Sequence, residues 1–420
     1  MSTAVSWRRD IHQHPEVGFT EFRTASRIAG HLSDLGLTVV TGTAAMSASD
    51  RLGVPDGLDA AYERAAATGA DLRFLPSMRG GHTAVVATVD SGAPGPAIGL
   101  RFDIDALPIF ESTARTHLPA ADNFRSSYEG VMHACGHDAH IGMAIELAER
   151  LTAEPLQAGS LTFFFQPAEE GGRGARAMAA TGLADNIDLF LAVHVGLGLP
   201  TGTFLGSIDS LLANTKIKAT FHGVSAHASM APQDGRNALL GAATAMLGIH
   251  GLPRISGHDT RVGVGRISGG TSSNIVPDTA EMLLETRADD GAVNEDLASR
   301  ARAILTGAAV MYDLTVDIET IGGTTTAIAD PEAAAIVDAA AAEIGLRSPE
   351  TGPDGIASDD ATAFMRRVQE CGGKASYVGL GATLAGTHHT PTFDFDEAVL
   401  PLGVALIERI VRNCAHLANV

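Results

Sequence analysis

The chain has 420 residues, 45% of them hydrophobic and 19% charged, which excludes a disordered chain and, at roughly 150 residues per domain, supports two or three well-filled domains. Its formal net charge of −20 excludes nucleic acid as a partner, because nothing offsets phosphate repulsion. By the same argument an anionic substrate needs a local basic pocket.

In chain order, Glu21 to Leu35 reads as an amphipathic helix and Leu37–Val40 as a strand. Residues 43–82 differ in texture, with many alanines, several charges, and Pro55 and Pro76. Leu58 to Gly69 looks helical, so this stretch reads as an inserted helical segment outside the core sheet. From Thr83 short apolar runs take over: Val85–Val89, Ala97–Arg101, Leu161–Phe165 and Leu189–Val193. Runs of that kind, bounded by Gly, Pro or charge, suit buried strands of a sheet covered on both faces. With helical stretches at Gly142–Leu151 and Ala175–Ala180 between them, they predict an α/β layer architecture.

A second texture begins near Asn214. Thr215–His222 alternates as a half-exposed strand does. A helix at Gly235–His250, strands at Arg261–Ile267 and Ala280–Arg287, a helix at Val293–Met311 and a strand at Leu314–Thr320 follow. The order strand–helix–strand–strand–helix–strand predicts a small open-faced sandwich. The apolar pattern resumes with a helix at Pro331–Gly345 and a strand at Ser376–Leu380. The reading is one α/β domain, 1–212 and 323–420, interrupted by a smaller α+β domain at 213–322.

Three cysteines, Cys135, Cys371 and Cys414, are too sparse for a disulfide framework. Met1 to Asp10 has no apolar run after its two arginines, and no stretch approaches ~18 uncharged apolar residues. The expectation is a cytoplasmic protein with no membrane partner.

Chemistry-bearing residues cluster at five places. His133-Ala-Cys135-Gly-His137-Asp-Ala-His140 puts three histidines and a cysteine in eight residues, all ligand types for transition metals. Cys135 and His137 are two apart, so an extended backbone would face them to one side; the alternative is a buried cysteine beside surface histidines. Phe163-Phe-Phe-Gln-Pro167-Ala-Glu169-Glu170-Gly-Gly172 delivers two adjacent carboxylates from an apolar strand into a glycine-rich turn. One could bind metal while its neighbour moves protons; a lone pair of this kind is also a common solvated loop. His194 ends another apolar strand, His388-His389 leaves open which ring points inward, and Asp103 and Asp105 could orient a ligand histidine from behind. Together these residues exceed one closed tetrahedral zinc site and suit two metals with open positions.

HACGHDAH, FQPAEEGGRGARAM, AVHVG, GVSAHA, GGTSSNIVP and HHTPTFDFDE resemble, in order and spacing, the metallopeptidase family of bacterial aminoacylases, auxin-conjugate amidohydrolases and carboxypeptidase-type enzymes. The helical insert, the run Gln233-Asp-Gly-Arg-Asn-Ala-Leu-Leu240 and Ser358-Asp-Asp-Ala-Thr362 resemble the branch that hydrolyses p-aminobenzoyl-glutamate. The resemblance implies a zinc-peptidase-like catalytic domain with a mixed sheet between helices, and a ferredoxin-like lid that also dimerises. It implies two divalent ions, manganese or zinc, held by Cys135, His137, Glu170, His194 and His389. Glu169 would be the general base, Asp105 would orient His137, and His227 would reach the partner subunit's site to stabilise an oxyanion. Asn274 and Arg287 resemble the positions that hold the substrate carboxylate, with Arg236 and Lys216 as competing cations. His389 is preferred to His388 because it directly precedes Thr-Pro-x-Phe-Asp. The implied activity is hydrolysis of the amide of p-aminobenzoyl-glutamate or a related N-acyl amino acid by a homodimer, the other arrangement being a pair with a second, related chain. Two further readings stand beside it: a broad aminoacylase or short-peptide carboxypeptidase, and a non-catalytic metal-binding component of a hetero-oligomer.

Overall fold

The structure, a computed structural model, describes residues 1–209, 211–350 and 358–417. The chain forms two compact units. The larger holds the residues up to Asp209 and the chain from Ala327 and from Asp360 onward; the smaller lies between Asp209 and Ala327. The sequence places these borders at 213 and 322.

The first segment runs α1 Thr3–Gln13, α2 Phe22–Asp34, β1 Thr38–Thr41, α3 Leu58–Ala67, β2 Val85–Asp90, β3 Ala97–Asp103, α4 Leu118–Ala121, α5 His137–Ala153, β4 Ser160–Gln166, α6 Ala175–Ala179, β5 Leu189–Val195 and β6 Phe204–Leu205. The small unit is β7 Ala213–His222, α7 Ala238–His250, β8 Thr260–Gly269, β9 Thr279–Ala288, α8 Gly291–Met311 and β10 Thr315–Thr324. The chain then adds α9 Pro331–Glu343, α10 Ala361–Glu370, β11 Lys374–Leu380, β12 Leu384–Gly386, β13 Asp394–Phe395 and α11 Val399–Leu417 to the large unit.

The large unit's sheet has the order β1-β2-β4-β3-β5-β11-β6. Its centre, β4-β3-β5-β11, is parallel, while β1, β2 and β6 join antiparallel. The parallel strands are buried almost throughout, β5 at every position, which is why they read as unbroken apolar runs. Being parallel, they present four C-terminal ends at one edge, the place where α/β proteins build sites. The small unit's sheet, β10-β7-β9-β8, is antiparallel throughout. Alternate residues of β7 from Ile217 to Phe221 face the α7–α8 side, the pattern expected for a sheet covered on one face.

Helices α1, α4, α10 and α11 lie outside the elements expected from the sequence. For α1 the reason is ionic. Arg8 is fully buried among Asp138, Asp394 and Glu397, and His12 is buried between Asp138 at 2.9 Å and Glu111 at 3.0 Å. A face that buries charge looks solvated in sequence. No helix among the described residues is long and apolar enough to cross a membrane.

The His12 network makes stability depend on pH. Burial lowers its pKa, but the bonds to Asp138 and Glu111 outweigh burial and push it up to about 9. With an unfolded value of about 6.5, this contribution is complete below about pH 6.5 and is lost as pH rises through about 9. Urea unfolding should show the wild type losing on the order of 2 kcal/mol across that window relative to His12→Gln. Parallel curves for the two proteins would refute the assignment.

Candidate active site

The Glu169-Glu170 loop is held by its own peptide groups. β4 ends at Gln166, Pro167 breaks the strand, and Ala168 adopts a positive φ of 52°. The Ala168 N–H donates to Glu21 Oε1 at 2.9 Å. Those of Glu169 and Glu170 donate to the two oxygens of Asp105 at 3.0 and 3.1 Å. Gly172 N–H closes the turn onto Glu169 O at 2.7 Å. Two neighbours that a regular strand would send to opposite faces are thereby both turned into one site.

Cys135 and His137 are brought together by a different device from the extended backbone expected. Gly136 takes φ 93°, and His137 is the first residue of α5. A side chain could not replace Gly136, since a Cβ there would lie 2.5 Å from Val195 Cγ2.

Cys135, His137 and His194 offer ligand atoms within 4.8 Å of one another, and so do Cys135, Glu170 and His389; a third group joins His137, Glu169 and Glu170. Cys135 Sγ lies 3.6 Å from His194 Nε2. The ring nitrogens are sorted by hydrogen bonds. His137 Nδ1 donates to the Asp105 carbonyl at 2.8 Å and His194 Nδ1 to the Val195 carbonyl at 2.9 Å. Each Nε2 is then left as a lone-pair donor. Asp105 orients His137 chiefly through its main chain, the carboxylate standing 3.3 Å from the same nitrogen.

Both members of the histidine pair adjoin Cys135. His388 Nδ1 lies 3.6 Å from Sγ, with its ring against His194 and Phe393. His389, at φ 61°, places Nε2 3.3 Å from Glu170 Oε1. Only His389 belongs to a ligand group among the described residues.

These residues fit a metal pair. His137 Nε2 is buried and makes no hydrogen bond, and buried Glu170 Oε1 has the His389 ring nearby but no hydrogen bond of its own, a costly state for structural polar atoms and the ordinary one for ligands. Burial lowers the pKa of His137, but Asp103, Asp105 and Glu170 outweigh it and push it up to about 10, a negative field that cations satisfy. Burial, aided by His140, keeps His194 neutral, the ligand form. Glu169 Oε2 stands 3.9 Å from His137 Nε2, beside the ligands and absent from the two groups that share Cys135.

Sequence reasoning grouped His133 and His140 with the ligand-type residues of their motif and gave Arg101, Asp360 and Glu21 no part in the site. His140 donates Nδ1–H to Asp103 and accepts the Val195 N–H at Nε2, tying α5 to the end of β5. Arg101 is buried between Asp103, Gln166 and Asp360. Asp360 also accepts the Gly174 and Ala175 N–H groups at the start of α6. Glu21 looks like a helix-start carboxylate in sequence, and nothing local marks it as an anchor. His133 is buried with neither ring nitrogen partnered, and burial pushes its pKa down to about 3.

The remaining candidates lie in the small unit. His227 Nδ1 accepts N–H bonds from Ser229 and Met230 at 3.2 and 3.1 Å, so the ring proton sits on Nε2 as an exposed donor. Asn274 lies beside it, its carbonyl accepting the Ala228 N–H. Arg236 is engaged by Asp313 at 2.7 Å, and Arg287 by both oxygens of Glu285. Lys216 sits opposite Glu285 in the β7–β9 register.

Comparison with known proteins agrees with the motif reading. Residues 99–413 match the model of Peptidase family M20/M25/M40. The chain is 42% identical to indole-3-acetyl-aspartic acid hydrolase of Enterobacter agglomerans, covering 97% of this chain and 94% of that protein. It is 41% identical to one of the subunits of p-aminobenzoyl-glutamate hydrolase from Escherichia coli strain K12, with the same coverage. The crystal structure of aminobenzoyl-glutamate utilization protein from Klebsiella pneumoniae superposes with a TM-score of 0.84 at 38% identity, over 98% of this chain and 95% of that one.

Asp105→Asn should leave one of the two loop N–H groups facing an amide NH₂. The expected cost is about 1–3 kcal/mol, together with loss of metal from the purified protein. Unchanged stability and metal content would show that the carboxylate does not hold the loop.

Proposed function

The chain belongs to peptidase family M20/M25/M40, and on that premise we propose that it is a metal-dependent amidohydrolase cleaving p-aminobenzoyl-glutamate or a closely related N-acyl amino acid. One observation carries the reading: two ligand groups share the sulfur of Cys135, with the Glu169 carboxylate beside them. The two relatives described above are both hydrolases of acyl derivatives of acidic amino acids by name, which favours this substrate class over a broad aminoacylase or carboxypeptidase. The ligands of the metal pair are Cys135, His137, Glu170, His194 and His389. The thiolate favours zinc, and the family resemblance manganese. The protein acts in the cytoplasm as a homodimer.

When bound, a pair of divalent ions supplies Lewis acidity to the scissile carbonyl and to the attacking water. Glu169 takes the proton of that water as its oxygen bonds to the carbonyl carbon. The developing oxyanion is met by the Nε2–H of His227 from the partner protomer. Glu169 then passes its proton to the amide nitrogen, the C–N bond breaks, and the new carboxyl group gives up the water's second proton to the released amine, so that a carboxylate and an ammonium group leave. The α-carboxylate of the leaving amino acid is held by Asn274 and by one of Arg287, Arg236 and Lys216. An arginine in this role gives two parallel hydrogen bonds, and Arg287 and Arg236 each exchange an intramolecular acid for the substrate.

The two glutamates divide the labour. Glu169→Gln should keep its metal and lose ~10² to 10⁴ in kcat on p-aminobenzoyl-glutamate, whereas Glu170→Ala should lose metal and activity together. Elemental analysis beside kcat distinguishes them; a Glu169→Gln enzyme near full rate would end the general-base proposal. For His227 the test is complementation. Inactive His227→Ala and inactive Glu169→Ala protomers, exchanged into heterodimers, should regain activity, and inert heterodimers would place His227 outside the partner's site.

A further inference from the structure

The cations proposed for the substrate's α-carboxylate all lie in the small unit, and an aspartate or glutamate leaving group carries a second carboxylate. Among the arginines of the large unit with no carboxylate within 4.0 Å in the described residues, two converge on one aromatic ring, Arg51 and Arg173. Arg173 follows Glu170 by three residues; its Nε donates to the Glu170 carbonyl at 2.9 Å and one Nη to the Gly53 carbonyl at 3.1 Å. Arg51 donates an Nη to the Gly80 carbonyl at 2.6 Å, and its Nε is buried without a partner. Both guanidinium carbons lie over the ring of Phe19, at 5.7 Å for Arg51 and 5.5 Å for Arg173. Phe19 itself is fully buried and takes a positive φ of 67°.

The surroundings are shaped to admit these groups. A Cβ on Gly18 would stand 2.9 Å from Ala168 Cα and 2.3 Å from the Arg173 guanidinium, so glycine there keeps the guanidinium in its present place. Asp50, the nearest acid in sequence to Arg51, is taken by Ser47 and Arg176. Neither arginine has a carboxylate within 4.0 Å among the described residues. Burial with no counter-charge lowers the pKa of Arg51 below its ordinary value. In a chain of net charge −20, two half-buried cations meeting only carbonyls and a ring are electrostatically incomplete. They are also close to the chemistry. Arg173 is bonded to the main chain of a ligand residue, and Val17, two residues before Phe19, bridges to Ala106 beside Asp105.

We propose that Arg51 and Arg173 form the pocket for the side-chain carboxylate of an acidic N-acyl amino acid, and so set the preference for aspartate or glutamate as the leaving amine. The inference rests on the amidohydrolase reading above and deepens it. Arg173 has a second task in holding the Glu170 carbonyl, so Arg51, which bonds to no ligand residue, gives the cleaner test.

The experiment compares kcat/KM of the metal-loaded enzyme on p-aminobenzoyl-glutamate and p-aminobenzoyl-glutamine, for wild type, Arg51→Gln and Arg51→Lys, with thermal midpoint and metal content measured alongside. Losing a hydrogen bond to a charged group corresponds to about 10- to 100-fold. Arg51→Gln should lose that much on the glutamate substrate, mainly in KM, and less than about threefold on the glutamine substrate. Arg51→Lys should recover part of the loss. Equal losses on both substrates, or none on glutamate, would overturn the pocket while leaving the amidohydrolase intact. A wild type inert on both substrates would instead overturn the functional reading, and the pocket with it.

Discussion

Three consecutive peptide N–H groups, those of Ala168, Glu169 and Glu170, end on two buried carboxylates. The placement of both glutamate side chains in one site depends on that anchoring. Adjacent residues share a site only when the backbone between them is bent, and a bent, buried backbone must find acceptors for its donors. Glu21 and Asp105 supply them. Burial, then repulsion from Asp105, pushes the Glu21 carboxyl up to about 8, so the anchor itself is strained electrostatically. The same Asp105 directs His137 through its carbonyl. One residue therefore fixes Glu169, Glu170 and the His137 ring relative to each other.

A second buried chain holds the strand ends in register. From Arg101 it passes to Asp103 and His140 on one side, and to Gln166 and Asp360 on the other. It links β3, β4 and α5, and its terminal contacts reach Val195 and the start of α6. Removing one partner from such a network strands a buried charge.

What the sequence made legible follows the physics of each element. β3, β4 and β5 were legible because strands buried on both faces have no polar side. The small unit was legible because β7 alternates and its helices and strands have separate turn signals. Cys135, His137, Glu170 and His194 drew notice only together, because each alone has an ordinary alternative, and their joint role as ligands was read from the family resemblance. Helix α1 was not legible because Arg8 and His12 bury charge by pairing, and periodicity of apolar residues registers none of that. The helical start at His137 was hidden by Gly136, whose left-handed turn replaces the extended backbone that spacing alone suggests. Glu21 and Arg51 were not legible because Glu21 meets its partners Thr83 and Ala168 only in the fold, 62 and 147 residues away, and because what sets Arg51 apart is the absence of an acid beside it among the described residues.

The parallel pairing of β5 with β11 joins Leu189–Val195 to Lys374–Leu380. The small unit's strands and helices lie wholly within the interval between them. During synthesis that unit can complete its own core while β5 still exposes an unpaired edge. Long-range parallel pairings of this kind form late and leave hydrophobic strands open to association in the meantime. The residues up to His194 emerge well before His389, so the second ligand group has no imidazole until the chain is nearly finished. On the proposed ligand set, the complete centre becomes available to metal only after synthesis is nearly finished, and a truncated chain carries Cys135, His137 and His194 without His389.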